Sequence, residues 1–535
     1  MDNLFLVINL LGGLGLFLYG MKIMGDALQN VAGNKLKGLF EKITSNPVKG
    51  IITGAIISAA IQSSSATTVM VVGFVNAGLM NLYQAAGVIF GANIGTTITG
   101  QLVALKLTKW APLFIAIGTV LFLFNKKQRQ KEIGTAILGF GILFLGMNTM
   151  SSAMVPLKDT PLFLNLIEAV GGNPLLGVAV GVLMTVMLQS SSATIGVLVV
   201  LAADNSIGID VLLPILLGDN IGTCATALIS SIGTNKTARK AALVHLTFNI
   251  IGTTIFIFLL KPFGTIVQHI TPNNVGRQIA NAHTLFNITN VLIQAPFIKY
   301  LVAFVNKIIP GDEEREKMGL KYLDERILET PSIAVNQTVK EINRMSIKAK
   351  DNFEKAMQAF QNNDLSLLEK IDENEALIDL LEEEITTYLV QLSKTDIDER
   401  NHDIITSLFH VIKDIERIGD HATNIAEMAK DKIVKKIKIS DTATKQIDDM
   451  YKYTYDALNS AVEAFRINDE KKAKLVFTFE NRIDKLEEEY RKDHIKRLNA
   501  GMCNAQSSAI FLDLLNNLER IGDHSTNIAQ SVINE

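Results

Sequence analysis

QSSSAT at residues 62–67 returns as QSSSAT at residues 189–194, and the shared register runs far beyond those six letters. Asn46-Pro47, the pair Gly50 and Gly54, and Asn93-Ile94-Gly95-Thr96 recur as Asn173-Pro174, Gly177 and Gly181, and Asn220-Ile221-Gly222-Thr223, all without a gap. Upstream, Gly13, Gly15, Gly20, Met21 and Met24 answer to Gly139, Gly141, Gly146, Met147 and Met150 with a slip of one residue. Self-similarity of this length marks a duplicated structural unit.

The two copies lie in a half of the chain that differs physically from the rest. Residues 1–306 hold 18 Lys and Arg and 9 Asp and Glu, whereas residues 307–535 hold 33 and 45, so a net charge of -3 averages a basic half and an acidic one. Such a change in charge density excludes a single globular domain. Two cysteines, Cys224 and Cys503, provide neither a disulfide framework nor a cysteine zinc site, and the charge balance offers no footprint for nucleic acid. Apolar stretches recur through the first half, several approaching the roughly 20 residues that cross a bilayer as a helix.

Lys22, Lys35, Lys37, Lys42 and Lys49, then Lys126, Lys127, Arg129 and Lys131, then Lys236, Arg239 and Lys240 mark three basic loops, and short basic loops stay cytoplasmic. The loop 151–173 carries only Lys158 and belongs outside. These sides agree only if 51–80 and 175–203 enter and leave on one side as re-entrant hairpins, each broken at its run of serines. Irregular backbone at membrane depth needs protein or a water-filled cavity around it. The two units then have opposite orientations, the inverted-repeat arrangement in which secondary transporters hold substrate and ions near the midplane.

Each QSSSAT run puts an amide and four hydroxyls into apolar surroundings. Oxygen ligands suit a hard cation such as sodium, and helix N-termini with hydroxyl donors suit an oxyanion. Neither repeated core contains Lys or Arg: there is none between Lys49 and Lys106 or between Lys158 and Lys236. A bound oxyanion would therefore need mobile positive charge, which sodium beside it supplies. The plainer reading is that the hydroxyls bond back to carbonyls one turn earlier. Asp219 stands where the first unit has Ala92, and is either a cation ligand or a wet cap at the helix entrance. His245-xx-Phe248-Asn249 and His283-xx-Phe286-Asn287 share a pattern that reads as interhelical hydrogen bonding.

At these residues the chain resembles the type II sodium/phosphate cotransporter family, whose hallmark is a duplicated QSSS segment followed by N-I-G-T. The resemblance implies sodium-coupled uptake of inorganic phosphate, with sodium as coupling ion and a site formed by Gln62, Ser63, Ser64, Ser65, Thr67, Asn93 and Thr96 together with Gln189, Ser190, Ser191, Ser192, Thr194, Asn220 and Thr223. Asp219 departs from the small residue expected there and joins the list as a sodium or phosphate contact.

After a charged linker, long amphipathic patterns almost free of Gly and Pro predict helices of about 30 residues. Here too the sequence repeats: ERIGDHxxNIA at 416–426 returns at 519–529, and the preceding helices share Ile378-Asp379 and Ile483-Asp484, each followed by a run of glutamates. Two three-helix bundles in tandem result. Glu416, Asp420 and Asn424 stack on one helix face, as do Glu519, Asp523 and Asn527; their oxygens could hold iron, manganese or magnesium, with His421 or His524 adding nitrogen. The alternative is a solvated, salt-bridged face. The two copies resemble the PhoU family of phosphate-signalling regulators, which implies a regulatory domain that engages a signalling partner or forms a homo-oligomer.

The fold expected is all-α: a membrane domain at 1–306 with repeat 1 at 4–124, repeat 2 at 133–260 and an extra helix at 279–305; a linker at 307–334; and a soluble domain at 335–535 with bundles at 335–432 and 440–533. The function expected is sodium-coupled phosphate symport across a prokaryotic inner membrane by alternating access, with the C-terminal domain cytoplasmic. A membrane-anchored phosphate sensor, or a carrier or exporter of another small oxyanion, is the alternative. Neither half pairs a nucleophile with a base, so no enzyme is expected.

Overall fold

The computed structural model describes residues 2–41, 47–105, 107–157, 160–202, 207–311, 319–395, 397 and 399–533. Asn46, Lys42, Lys106, Lys158, the charged run 312–317 and the side chains of Lys35 and Lys37 lie outside the described residues. All described regular structure is helical. The chain forms two compact units, Met1–Glu314 and Arg315–Glu535.

In the first unit, α1 (Asp2–Glu41), α2 (Pro47–Ile61), α3 (Ser64–Asn76), α4 (Leu82–Val103) and α5 (Ala111–Phe124) form the first repeat. The second comprises α6 (Gln128–Leu157), α7 (Pro161–Gly172), α8 (Pro174–Leu188), α9 (Ser191–Leu201), α10 (Ile209–Gly222), α11 (Cys224–Ser230) and α12 (Lys236–Phe258). Then follow α13 (Leu260–Ile270), α14 (Val275–Gln294) and α15 (Ile298–Ile308). Six stretches among the described residues are long and apolar enough to cross a membrane: Phe5–Val31, Leu107–Phe124, Gln128–Pro156, Ile209–Ser230, Lys236–Phe258 and Val275–Ile308.

Glycine sets the packing. A Cβ on Gly13 would strike Gly146 and Met150, and one on Gly20 would strike Gly139 and Leu143, so α1 and α6 touch backbone to backbone and run antiparallel. They are equivalent helices of the two repeats, and their opposed directions give the inverted relation. Gly87, Gly91 and Gly95 of α4 meet Pro47, Ile51 and Ala55 of α2 in rising order, so these two run parallel; Gly177 and Gly181 of α8 meet Pro214 and Ile215 of α10 in the same sense. Small residues at this spacing let backbones approach where lipid provides no hydrophobic drive. With α2 and α4 parallel and joined through α3, the intervening arm must turn back. At 15 and 13 residues, α2 and α3 are each only about 20 Å long, short of a 30 Å hydrocarbon core.

Three expectations need correction. The stretch 151–173 is not an open loop: α6 continues to Leu157 and α7 fills Pro161–Gly172. The extra helix at 279–305 is two helices, α14 and α15, parted by a 3-10 turn at Ala295–Phe297 around Pro296, which cannot donate to the ladder. Helix α13 was not expected at all, because a short helix burying only Phe263, Gly264 and Val267 fits no 20-residue apolar template.

The second unit consists of α16 (Pro331–Asn362), α17 (Leu368–Leu392) and α18 (Glu399–Val434), then α19 (Asp441–Ile467), α20 (Glu470–Asn499) and α21 (Ala505–Ile533). Each bundle closes on an apolar seam: Phe353, Ile378, Leu381 and Ile415 in the first, Leu458, Ile483, Leu514 and Leu518 in the second, all buried.

Candidate functional site

Both hairpin breaks are built the same way. Gln62 and Gln189 take left-handed backbone angles, φ 59° and 52°, a region that residues with a side chain seldom occupy. Ser63 and Ser190 follow as caps: Ser63 Oγ accepts from the Ala66 amide at 3.1 Å and Ser190 Oγ from the Ala193 amide at 3.2 Å. The break thus falls on Gln-Ser and not across the whole serine run, because serine is a strong N-cap former. Ser64, Ser65, Ser191 and Ser192 lie in the first turns of α3 and α9, where amides lack an acceptor within their own helix and carry partial positive charge.

The threonines and asparagines of the motif mostly bond back one turn. Thr67 donates to Ser63 O at 2.9 Å, Thr194 to Ser190 O at 3.4 Å, Asn93 to Ile89 O and Asn220 to Leu216 O at 2.9 Å each, and Thr96 and Thr223 to Ala92 O and Asp219 O. Their carbonyl and hydroxyl lone pairs remain available as oxygen ligands.

The two halves differ at two points. Gln62 Oε1 accepts from Thr99 Oγ1 at 2.7 Å, which ties the first hairpin tip to α4. Gln189 is exposed, and Thr226, the equivalent of Thr99, donates to Thr223 O instead. Thr99→Val should therefore lower the melting temperature of the detergent-solubilised chain, by the equivalent of about 1–2 kcal/mol for an amide oxygen left unpaired, while Thr226→Val should not.

The second difference is Asp219. Its side chain is fully buried, so it is no wet cap. Oδ1 accepts from Thr185 Oγ1 at 2.7 Å, Thr185 Oγ1 lies 2.9 Å from Thr194 Oγ1, and Oδ2 has no partner. The equivalent place in the first repeat holds Ala92, with Ser58 Oγ 3.5 Å from Thr96 Oγ1. Sequence reasoning missed Thr185 and Ser58; their signal was present, since both stand in the register of the repeat on buried faces of α8 and α2.

The second arm of each hairpin crosses to the other repeat: α3 packs on α11 and α12, and α9 on α4 and α14. A Cβ on Gly100 of α4 would lie 3.3 Å from Ile195 on α9. Both QSSSAT runs therefore sit at the interface of the repeats. Of the His-xx-Phe-Asn pair, Asn249 does bond between helices, donating to Cys224 Sγ at 3.2 Å, whereas Asn287 donates to His283 O within its own helix and neither nitrogen of His245 has a partner.

In the second unit the proposed metal set divides. Asn424 Nδ2 donates to Asn517 Oδ1 at 3.4 Å and Asn527 Nδ2 to Asp414 Oδ1 at 2.9 Å, and the rings of His421 and His524 turn to the same two residues at 2.8 Å. These four form a clasp between α18 and α21, apart from the carboxylates. Asp420 instead faces Glu375 and Asp379 of α17, while Glu416 faces Glu382; Asp523 faces Glu480 and Asp484 of α20, and Glu519 faces Asp484. Arg417 pairs with Glu416 and Asp420, and Arg520 with Glu519 and Asp523. Glu480, Asp484 and Asp523 each bring one oxygen within 4.8 Å of the others. Burial and the Asp523 charge raise both Asp484 and Glu519; burial with Asp484 and Asp523 raises Glu480. In the first bundle, burial with Asp379 pushes the Glu375 carboxyl up to about 7, and burial with Asp420 raises Glu416. The conspicuous glycine of each motif has a packing cause: a Cβ on Gly419 would lie 3.0 Å from Glu375 Oε2, and one on Gly522 3.0 Å from Ile483.

Because Glu375 is harder to ionise folded than unfolded, its contribution to stability is greatest below pH 4.5 and declines as pH rises towards 7. In chelator, Glu375→Gln should flatten that decline in a melting series across the same interval.

The Na+/Pi-cotransporter family model matches residues 16–152 and 160–306, and the PhoU domain model matches 342–429 and 447–532. The chain is 24% identical over 535 residues, 99% of its own length and 98% of the relative's, to YjbB of Escherichia coli K12, a protein named for a proposed role in inorganic phosphate export. It is 39% identical over 99 residues, 18% of this chain and 15% of the relative, to the sodium-dependent phosphate transport protein 2A of Rattus norvegicus. Over 199 residues, 36% of this chain and 83% of the relative, it is 28% identical to the PhoU homolog 1 accessory protein of the phosphate-specific transport system of Thermotoga maritima. With more than half its length matched by the first model and duplicated helical bundles matched by the second, the chain belongs to the Na+/Pi-cotransporter family of membrane transporters and carries a PhoU domain in its C-terminal half.

Proposed function

We propose that the first unit couples phosphate movement to sodium by alternating access. Asp219 carries the proposal: a carboxylate with one oxygen unpaired and no basic residue in its repeat core is costly to bury charged unless a cation joins it. Thr185 and Thr194 hydroxyls beside it complete an oxygen donor set suited to sodium. The first turns of α3 and α9 would take the phosphate oxygens through the amides of Ser64, Ser65, Ser191 and Ser192, and bound sodium would offset the anion's charge. Gln62, Ser63, Thr67, Asn93 and Thr96 and their partners Gln189, Ser190, Asn220 and Thr223 shape and orient the hairpin tips.

Because the tips lie where the second arms cross between repeats, movement of one repeat against the other would change the side from which phosphate is reached. Direction then follows the gradients: an inward sodium gradient drives uptake, and the relation to YjbB favours export as the second reading. Labelled phosphate should enter proteoliposomes under an inward sodium gradient and fall to background when potassium replaces sodium; equal uptake in the two salts would refute the coupling. Loss of preloaded phosphate driven by an outward sodium gradient would test export.

The second unit is proposed to lie in the cytoplasm and regulate transport, binding a divalent metal in its second bundle through Glu480, Asp484 and Asp523, with Glu519 beside them. All donors are oxygens, and a hard cation would add to Arg520, which pairs with Glu519 and Asp523, in offsetting their mutual repulsion.

A further inference from the structure

One end of the PhoU domain gathers exposed lysines around two protruding apolar side chains. Lys432 Nζ donates to Phe360 O at 2.5 Å, which sets the end of α18 beside the end of α16; Arg497 Nη2 donates to Gln446 Oε1 at 2.8 Å and Tyr490 OH to Asp449 Oδ2 at 2.6 Å, which set the end of α20 beside the start of α19. The loops 435–440 and 500–504 therefore share that end. Residues 430–438 hold five lysines and one acid in a half of the chain whose net charge is strongly negative. Lys435, Lys436 and Lys438 are exposed, although Lys435 also pairs with Asp431 at 2.6 Å. Lys496 from α20 adds a further exposed cation, paired with Asp493 at 3.1 Å. Among these charges two apolar side chains protrude: Val434 is 65% exposed and Met502 74%.

We propose that this end of the PhoU domain docks on anionic lipid, with Lys435, Lys436, Lys438 and Lys496 against headgroup phosphates and Val434 and Met502 entering the interfacial layer. Lysine clusters are drawn to anionic membrane surfaces within a Debye length, and apolar side chains set among them add a second, non-electrostatic hold. Each element alone is weak. The domain, however, is covalently joined to a unit that resides in the membrane, so docking is an intramolecular event at high effective concentration. The proposal rests on the second unit working beside that membrane, not on the transport reading or on a bound metal. Docking would restrain the regulatory domain according to lipid charge and salt.

The test uses the full chain in nanodiscs, with Met502→Cys carrying an environment-sensitive fluorophore in a Cys503→Ser background. Discs containing phosphatidylglycerol should shift its emission to the blue and shield it from iodide; phosphatidylcholine discs should not, and high salt should reverse the effect. Each lysine removed should lower the docking equilibrium about fivefold, so the triple variant K435E/K436E/K438E should lose it, and the milder K435Q/K436Q/K438Q weaken it. Both triples alter exposed side chains, and circular dichroism checks that they fold. Identical emission in the two lipids, or a shift untouched by charge reversal, overturns the proposal. A shift reproduced by inorganic phosphate in phosphatidylcholine discs, or one that scales with two copies per disc, overturns it equally. Discs offer lipid on both faces, so sidedness in the cell does not enter; protease protection of the second unit in oriented vesicles tests that separately.

Discussion

Asp219→Asn is expected to reduce sodium-driven phosphate transport by about two orders of magnitude, the order of effect seen when one member of a buried charge pair is removed. Asparagine has nearly the same shape and can still accept from Thr185, so the hydrogen bond at Oδ1 survives while the charge does not. The loss should appear as a raised half-saturating sodium concentration, measured in proteoliposomes at fixed phosphate, with the melting temperature held or raised. If Asp219 were a protonated structural residue, the neutral variant would transport normally, and that result would remove Asp219 from the cation site. Thr185→Val should shift sodium dependence in the same direction but less. Ser58→Ala in the first repeat, where no carboxylate waits, should have a smaller effect still.

Gly181→Leu is expected to be the most damaging single substitution for the fold. A Cβ there would already overlap the Ile215 carbonyl oxygen and lie 3.0 Å from the Asp219 amide, and neither atom belongs to a side chain that can swing away. Either α8 separates from α10 or the helices distort, and overpacking of this kind costs about 3 kcal/mol or more. The two effects are linked: as α8 moves off, Thr185 leaves Asp219. Folded protein in detergent, followed by size-exclusion chromatography and thermal melting, should largely disappear. Gly54→Leu, its counterpart against the Val88 backbone, should behave alike. Gly12→Ala is the control, because no atom lies within 4 Å of a Cβ at that position, and helix propensity should make it neutral or mildly stabilising. Normal folding of Gly181→Leu would mean that the close contact between α8 and α10 is not needed for stability.

Much of the fold was legible in the letters. The 127-residue register located the repeats, and the basic loops gave their opposed directions. Amphipathic periodicity sized the six helices of the PhoU domain closely. The misses have physical causes. Helix α13 is too short and too half-hearted in its burial for a span-length window, and Pro296 divides what hydropathy alone reads as one segment. Asn424 and Asn527 share a helix face with the carboxylates, but i, i+4, i+8 spacing fixes only a direction around the helix axis. Which neighbour lies across that face depends on bundle packing, and the neighbours proved to be Asn517 and Asp414.

The sequence by itself determined the duplication, the inversion and the residue types at the hairpin tips, because these follow from local periodicity, charge and capping preferences that neighbours scarcely alter. Only the tertiary structure decided that Asp219 is dry and half unpaired, that Thr185 completes its surroundings, and that Glu375, Asp379, Glu480 and Asp484 supply the other wall of each acidic cluster. Those facts belong to pairs of helices distant in sequence, and burial and partnership are properties of the space between them.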